Sequence, residues 1–142
     1  MQLSKFADYG LRVLVFLAVQ GPERQSTAKI ARKFGISEHH LSKVASALVR
    51  GGFVVSGRGR QGGLVLAKEP QGITVGAVVR HLTADCAVVE CFNDTADCRI
   101  MSACGLRAPL AKAQEAFYET LDSYSLSDVT CAKSELSALL TR

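Results

Sequence analysis

The stretch "STAKIARKFGISEHHLSKVASALVRGG" at positions 26–52 constrains the fold more than any other. Ser26 or Thr27 can cap a short helix, and Gly35 suits the left-handed turn that ends it. Ser37 can cap a second helix, with Glu38 in its first turn. The apolar side of this second helix comprises Leu41, Val44, Ala45 and Leu48. Two short helices joined by a tight glycine turn predict a helix-turn-helix.

The other side of the second helix is polar, as expected of a helix that reads DNA. Polar side chains near its N-terminal end are placed to reach base edges in the major groove. We therefore predict that the DNA contacts of this helix come from Ser37, His39, His40, Ser42 and Lys43.

The next segment, "FVVSGRGRQGGLVLA", predicts a β-hairpin with a long tip. Its strands are predicted at 53–56 and 64–67. Directly behind a helix-turn-helix, such a hairpin is typical of a wing, and Arg58 and Arg60 would supply the charge that binds a minor groove. A solvated basic turn is the alternative interpretation of the same loop.

The glycines of this loop also match a dinucleotide-binding fingerprint, G-x-G-x-x-G, at Gly57, Gly59 and Gly62. That fingerprint requires a helix directly after the glycines, because the helix N-terminus binds the phosphates. Here a strand is predicted instead, so nucleotide binding is disfavoured.

Charge is divided unevenly along the chain. Residues 1–80 contain twelve Lys and Arg against four Asp and Glu, whereas residues 81–142 contain five against nine. A basic first part indicates a polyanionic partner such as double-stranded DNA.

Four further helices complete the predicted architecture. One spans Leu3 to Gln20, and one follows Thr74 with Val75, Val78, Val79 and Leu82 facing inward. A long third helix carries a coiled-coil-like seam, which predicts packing against a second copy in a homodimer. The seam comprises Leu106, Leu110, Ala113, Phe117, Leu121 and Tyr124. "SLSD" at 125–128 predicts a capping box for a last short helix.

The predicted fold class is therefore mainly α with a small β-hairpin. A winged helix-turn-helix domain occupies residues 1–82, a cysteine loop that binds a cluster occupies 83–104, and a dimerisation helix with a C-terminal tail occupies 105–142. The apolar run 13–19 is too short to span a membrane and lacks a good cleavage site, so we expect a cytoplasmic protein.

The segment "CFNDTADCRIMSAC" places Cys91, Cys98 and Cys104 within fourteen residues. A cytoplasmic location and an odd total of five cysteines argue against disulfides, so metal or redox chemistry is favoured. Structural zinc usually has tighter cysteine pairs, whereas gaps of six and five suit an iron-sulfur cluster better, and spacing alone leaves both open. We interpret Cys86 and Cys131 as small buried apolar residues, although Cys86 remains a candidate fourth ligand.

No sequence motif of an enzyme accompanies these cysteines. There is no C-x-x-C redox pair, no nucleophile with an adjacent base and no catalytic zinc triad. We therefore expect a protein that is not an enzyme, with a zinc-stabilised or thiol-dependent metal enzyme as the alternative.

Over positions 1 to about 130 the chain resembles the Rrf-type winged-helix regulators, and among them the nitric-oxide-sensing repressors. The segments that carry this resemblance are "FADYGLR", the glycine-arginine wing and "CRIMSACGLRAPL". The resemblance implies a homodimeric repressor with an iron-sulfur cluster on Cys91, Cys98 and Cys104, and with Asp8 as an acidic ligand from the partner subunit. It favours a [4Fe-4S] cluster over a [2Fe-2S] cluster. It also implies that nitrosylation of the cluster releases operator DNA.

Two positions bear on the branch of the family. The gap between Cys91 and Cys98 is longer than is usual in these repressors. This difference bears on the geometry of the cluster loop and not on the number of ligands. A related branch that senses cluster supply uses a histidine three residues after its last cysteine, and here that position is Arg107. This favours nitric oxide sensing, with sensing of iron, redox state or cluster supply as the alternative.

Overall fold

The computed structural model describes residues 3–57, 59, 62–84, 86–93 and 96–141. The predicted wing residues Arg58 and Arg60 lie outside them. The helices are α1 Lys5–Gln20, α2 Thr27–Phe34, α3 Glu38–Arg50, α4 Val75–Leu82, α5 Arg107–Asp122, α6 Leu126–Val129 and α7 Lys133–Thr141. The strands are β1 Val54–Gly57 and β2 Gly63–Leu66, and 3₁₀ turns span Pro70–Gly72 and Glu90–Phe92.

Side-chain caps fix where the N-terminal helices begin. Ser26 accepts a hydrogen bond from the amide of Lys29 at 3.2 Å, and Ser37 accepts one from the amide of His40 at 3.3 Å. Gly35 ends α2 in the left-handed conformation, with φ of 63°, which costs glycine no steric strain. These caps confirm the predicted boundaries of the helix-turn-helix.

Helix α1 forms the centre of the core. Its buried side chains, among them Leu14, Phe16 and Leu17, pack against α3 and α4. Gly10 lies against Leu82 of α4 so closely that a Cβ atom there would collide with the leucine side chain. The sequence prediction that Leu41, Val44, Ala45 and Leu48 face inward is confirmed. The helix-turn-helix and α4 therefore share one core with α1.

The hairpin is antiparallel, with Val54 paired to Leu66 and Gly57 to Gly63. Each strand lies one residue away from its predicted position, because Gly57 and Gly63 extend the ladder at the tip. Strand β2, rather than a helix, follows the glycine loop, so the dinucleotide-binding fingerprint lacks its phosphate-binding helix. The fold is the predicted one, mainly α with a small hairpin.

Helix α5 lies against α4 on one side and is otherwise solvent-accessible. None of its residues, all of which belong to the described part of the chain, is buried. The predicted capping box is present at α6, where Ser125 and Asp128 exchange hydrogen bonds. Among the described residues, no helix has the length and apolar character needed to cross a membrane.

Candidate nucleic-acid interface and cysteine loop

The five residues predicted to contact DNA from α3 are all exposed. They are Ser37, His39, His40, Ser42 and Lys43. Leu41 and Val44, which alternate with them, are fully buried, so packing of the apolar side turns the polar side outward. Ser37 also caps the helix, and its hydroxyl is therefore held at the helix N-terminus. The structure brings these side chains together on one outward surface, the α3 face.

Two shallow grooves border the α3 face, and Arg50 lines both. The first is lined by Phe6, His39, Ser42, Lys43, Ser46 and Arg50. The second runs to the hairpin and is lined by Thr27, Ser42, Ala45, Ser46, Val49, Arg50, Ser56 and Leu64. Sequence reasoning missed Arg50, although it lies at helical spacing from Ser42 and Ser46. A guanidinium at this place is suited to bind a DNA phosphate.

The base of the wing is held by the segment that precedes α2. Arg24 donates from Nη1 to the carbonyl oxygen of Gly63 at 3.2 Å. A Cβ atom at Gly57 would lie 2.8 Å from that nitrogen, and one at Gly63 would lie 2.9 Å from the carbonyl oxygen of Gln25. Gln25 and Leu64 also exchange backbone hydrogen bonds at 2.9 and 2.8 Å. Close contact with the backbone of Gln25 thus requires glycine at position 63, whereas Gly57 is in contact with the flexible end of the Arg24 side chain.

The cysteine loop, residues 83–104, and the two residues that follow it connect α4 to α5. Cys91 lies in the 3₁₀ turn Glu90–Phe92, and Cys98 and Cys104 lie in the irregular part of the loop. These three thiols are half-buried, and each of the five cysteines, all of which the structure describes, is free rather than in a disulfide. Three free thiols in one loop supply the donor chemistry that iron and zinc prefer.

Within the described ranges, no three His, Cys, Asp or Glu side chains converge as a metal site. The predicted ligand Asp8 lies on the first turn of α1, where its carboxylate pairs with Arg12 of the same helix at 2.8 Å. Both side chains are partly exposed, so this carboxylate is accessible to a group on another subunit. The structure thus gathers the α3 face but does not gather the predicted ligands of the cluster.

The interpretation of Cys86 and Cys131 as buried apolar residues was wrong, since both are exposed. Cys86 follows α4 and lines an apolar groove together with Val79, Val88, Leu110 and Phe117. Cys131 lies between α6 and α7 on the surface. Neither position carried a sequence signal of exposure, because free cysteine is among the residue types that are most often buried.

Helices α4 and α5, which flank the cysteine loop, are joined by an ionic cluster. Arg80 donates to both carboxylate oxygens of Glu115, at 3.0 and 2.8 Å, and to Asp122 at 2.9 Å. The hydrogen bonds from Arg80 hold the pKa of Glu115 below its usual range. Thr83, the first residue of the loop, shares a hydrogen bond of 2.9 Å with the hydroxyl of Tyr118. The loop therefore begins and ends at a bonded helix pair.

Known proteins that resemble this chain in sequence and in structure are transcriptional regulators. The family described as Rrf2, iron-dependent transcriptional regulators, matches residues 3–132. The chain is 43% identical over 142 residues to the HTH-type transcriptional regulator NsrR of Geobacillus kaustophilus, covering 99% of this chain and 97% of that protein. It is 41% identical to NsrR of Bacillus subtilis, with the same two coverages.

Solved structures share the fold. The structure of CymR, the global cysteine regulator of Bacillus subtilis, is 32% identical and superposes with a TM-score of 0.68, covering 93% of this chain and 98% of CymR. The structure of IscR from T. potens is 29% identical, with a TM-score of 0.70 and coverages of 96% and 90%. The helix-turn-helix, the hairpin and the long α5 therefore belong to a shared architecture.

Proposed function

Because the chain belongs to the Rrf2 family of transcriptional regulators, which are not enzymes, we propose that it is a DNA-binding repressor that responds to nitric oxide through an iron-sulfur cluster. The observation that carries this proposal is the identity of about 40% over nearly the whole chain to regulators named NsrR. The polar and basic α3 face supports the DNA-binding part of the proposal. As a repressor that binds operator DNA, the protein would act in the cytoplasm.

The repressor would read DNA with α3 in the major groove. His39, His40, Ser42 and Lys43 lie toward the N-terminal end of α3, which is the part that reaches base edges in a helix-turn-helix. Ser37 and Arg50, at the two ends of α3, would contact the phosphates. Arg58 and Arg60 of the wing would add minor-groove contacts.

The working unit would be a homodimer formed through α5. The large apolar side chains of this seam within α5, Leu110, Phe117 and Leu121, are only half-buried in the single chain. Leu106, directly before α5, and Tyr124, after it, are 64% and 50% exposed. A second copy of α5 would bury such a seam. Two-fold symmetry would then place two α3 helices at half-sites one helical turn or a multiple apart.

The cluster would be held by Cys91, Cys98 and Cys104, because cysteine sulfur is the usual protein ligand of iron-sulfur clusters. Asp8 would complete the set from the partner subunit, which requires its carboxylate to exchange Arg12 for iron. When bound, an iron-sulfur cluster supplies iron atoms that react with nitric oxide. Ligation by these residues would draw the cysteine loop together between the ends of α4 and α5.

Release of DNA then requires only a difference in affinity between two conformations. With the loop closed around its ligands, the two α3 helices would match the spacing of the operator; with the loop released, they would not. A preference of a few kcal/mol for one state is enough to move the population of bound repressor by more than tenfold.

The proposal is tested by purifying the protein without oxygen and measuring its visible absorption together with its iron, sulfide and zinc contents. We expect a coloured protein with iron and acid-labile sulfide. A colourless protein that contains stoichiometric zinc would contradict the cluster and leave a zinc-stabilised winged-helix regulator. A coloured protein whose DNA binding responds to iron supply but not to nitric oxide would instead indicate a regulator that senses iron or cluster supply.

A further inference from the structure

Two successive residues of α4 bond to two different helices. Arg80 donates to Glu115 and Asp122 of α5. Next to it, the Nε2 atom of His81 lies 2.7 Å from the carbonyl oxygen of Ala47 in α3. A carbonyl oxygen can only accept, so Nε2 carries the proton and donates. Helix α4 is therefore bonded on one side to α5 and on the other side to the DNA-reading helix.

The bonds between α4 and α5 make the two helices one unit. At the N-terminal end, the amide of Val75 donates to the carbonyl of Tyr124 at 2.8 Å. In the first turn, a Cβ atom at Gly76 would collide with Asp122, so the backbones are in close contact. In the last turn, the Arg80 guanidinium lies 4.5 Å above the ring of Tyr118. We therefore expect a shift of α5, which follows the cysteine loop in the chain, to move α4 with it.

The contact of His81 with α3 is equally close. A Cβ atom at Gly51, directly after α3, would lie 2.7 Å from Cδ2 and 2.8 Å from Nε2 of His81. The imidazole also packs edge-on against Phe53, with 5.7 Å between ring centroids. Phe53 leads into β1, so the same imidazole contacts the end of α3 and the start of the wing.

We propose that His81 is the positioning residue through which α4 transmits movements of the cysteine loop to the α3 face and the wing. This inference rests on the proposed function, since the loop is where the signal would act. It adds the route by which the signal reaches DNA. Ligation of the loop shifts the α4–α5 unit, and the hydrogen bond from His81 to Ala47 moves the last turn of α3 with it.

The hydrogen bond can be removed by a substitution that keeps the size of the side chain. Leucine at position 81 has a similar volume but no donor. Glutamine places an amide nitrogen near the position of Nε2 and keeps the donor. Each variant is measured as full-length protein, both loaded with the cluster and free of it, on a DNA duplex selected from a random library by the unaltered protein.

The quantity that decides is the ratio of the DNA dissociation constants of the cluster-free and cluster-loaded forms. For His81→Leu, we expect this ratio to fall at least about fivefold, because energetic coupling between distant sites is typically of this size or larger. For His81→Gln, we expect a ratio within about twofold of the unaltered protein, since the donor is kept. A lower melting temperature for His81→Leu with an unchanged ratio would show that His81 only stabilises the fold, and would overturn the proposal.

A second measurement needs no cluster and separates failure of this proposal from failure of the sensing function. Arg80→Gln breaks the bonds to α5 and leaves His81 in place. If α4 transmits movement, the amides of Gly51 and Phe53, which bond to the carbonyls of Ala47 and Leu48, should exchange hydrogen at least about threefold faster in cluster-free protein. Unchanged exchange in Arg80→Gln would contradict transmission through α4. Lys112→Gln, which removes a positive charge from the exposed side of α5, is the control and should leave the exchange of these amides unchanged. An unaltered protein with equal DNA affinity in both forms would contradict the sensing function alone.

Discussion

The carboxylate of Asp8 forms an ion pair with the guanidinium of Arg12 one helical turn later, at 2.8 Å, and the two side chains are 42% and 46% exposed. An exposed pair of this kind contributes about 1 kcal/mol or less to stability. The carboxylate is thus held in one direction by a weak interaction that another cation can replace. This is the property that a ligand contributed to a neighbouring subunit needs.

Replacing Asp8 by alanine should therefore change the cluster and leave the fold intact. We expect the free energy of unfolding to change by less than about 1 kcal/mol, while the visible spectrum of the cluster-loaded protein shifts. Arg12→Gln is the matched control, because it breaks the same ion pair and keeps the carboxylate. An Asp8→Ala protein with an unchanged spectrum and an unchanged response to nitric oxide would remove Asp8 from the ligand set.

Replacing Cys98 by serine should remove most of the bound iron. Cys98 lies in the centre of the cysteine loop, and a serine oxygen is a far weaker ligand for iron than a thiolate. Iron per protein, measured after anaerobic purification, is expected to fall by most of its value. Cys131→Ser is the control, since Cys131 is exposed and lies outside the loop. Cys86→Ser tests the remaining candidate ligand. If Cys98→Ser, Cys86→Ser and Cys131→Ser all kept the iron content of the unaltered protein, the result would contradict a cluster in this loop.

Replacing Lys43 or Arg50 by glutamine should weaken DNA binding in a way that depends on salt. Each lost phosphate contact is expected to reduce the slope of log affinity against log salt concentration by about one. Lys112→Gln, on exposed α5, should leave the slope unchanged. A slope that stays the same in both α3 variants would show that the α3 face does not bind the DNA backbone.

Replacing Arg24 by methionine should displace the wing. The variant loses the hydrogen bond to Gly63 at the base of the hairpin, and we expect about five- to tenfold weaker DNA binding, since such a bond contributes about 1 kcal/mol. If Arg24 acts through the wing, its effect should not add to that of Arg58→Gln. Fully additive losses would indicate that Arg24 contacts DNA itself. Arg32→Met, at an exposed arginine of α2, is the control for lost charge.

The helix-turn-helix could be predicted from sequence because its signals are local. Ser26, Gly35 and Ser37 set the helix ends through their own backbone neighbours, and the apolar period of α3 fixes which side faces the core. The position of the strands was missed by one residue for the opposite reason. Gly57 and Gly63 extend the hairpin because Arg24 and Gln25 pack on them, and this contact is not visible in the hairpin sequence.

The remaining errors and omissions also concern tertiary contacts. The residues that flank Cys86 and Cys131 in the sequence do not indicate that these two cysteines are exposed. His81 reads as the polar side of a short helix, and its bond to Ala47 depends on how α4 crosses α3. The cluster ligands stay a prediction, because their assembly involves a loop and a second subunit. Local pattern therefore predicts the elements and the exposed side of α3, whereas the contacts between elements need the structure.

We propose that nitric oxide, acting at the cysteine loop, controls DNA binding at α3. The most direct test is a nitric oxide titration of the cluster-loaded protein without oxygen, with visible absorbance and DNA binding followed in parallel. We expect the absorbance of the cluster and the DNA affinity to fall together, with the affinity dropping at least about tenfold, as population shifts of a few kcal/mol require. Cluster absorbance that is lost while DNA affinity stays constant would contradict the account.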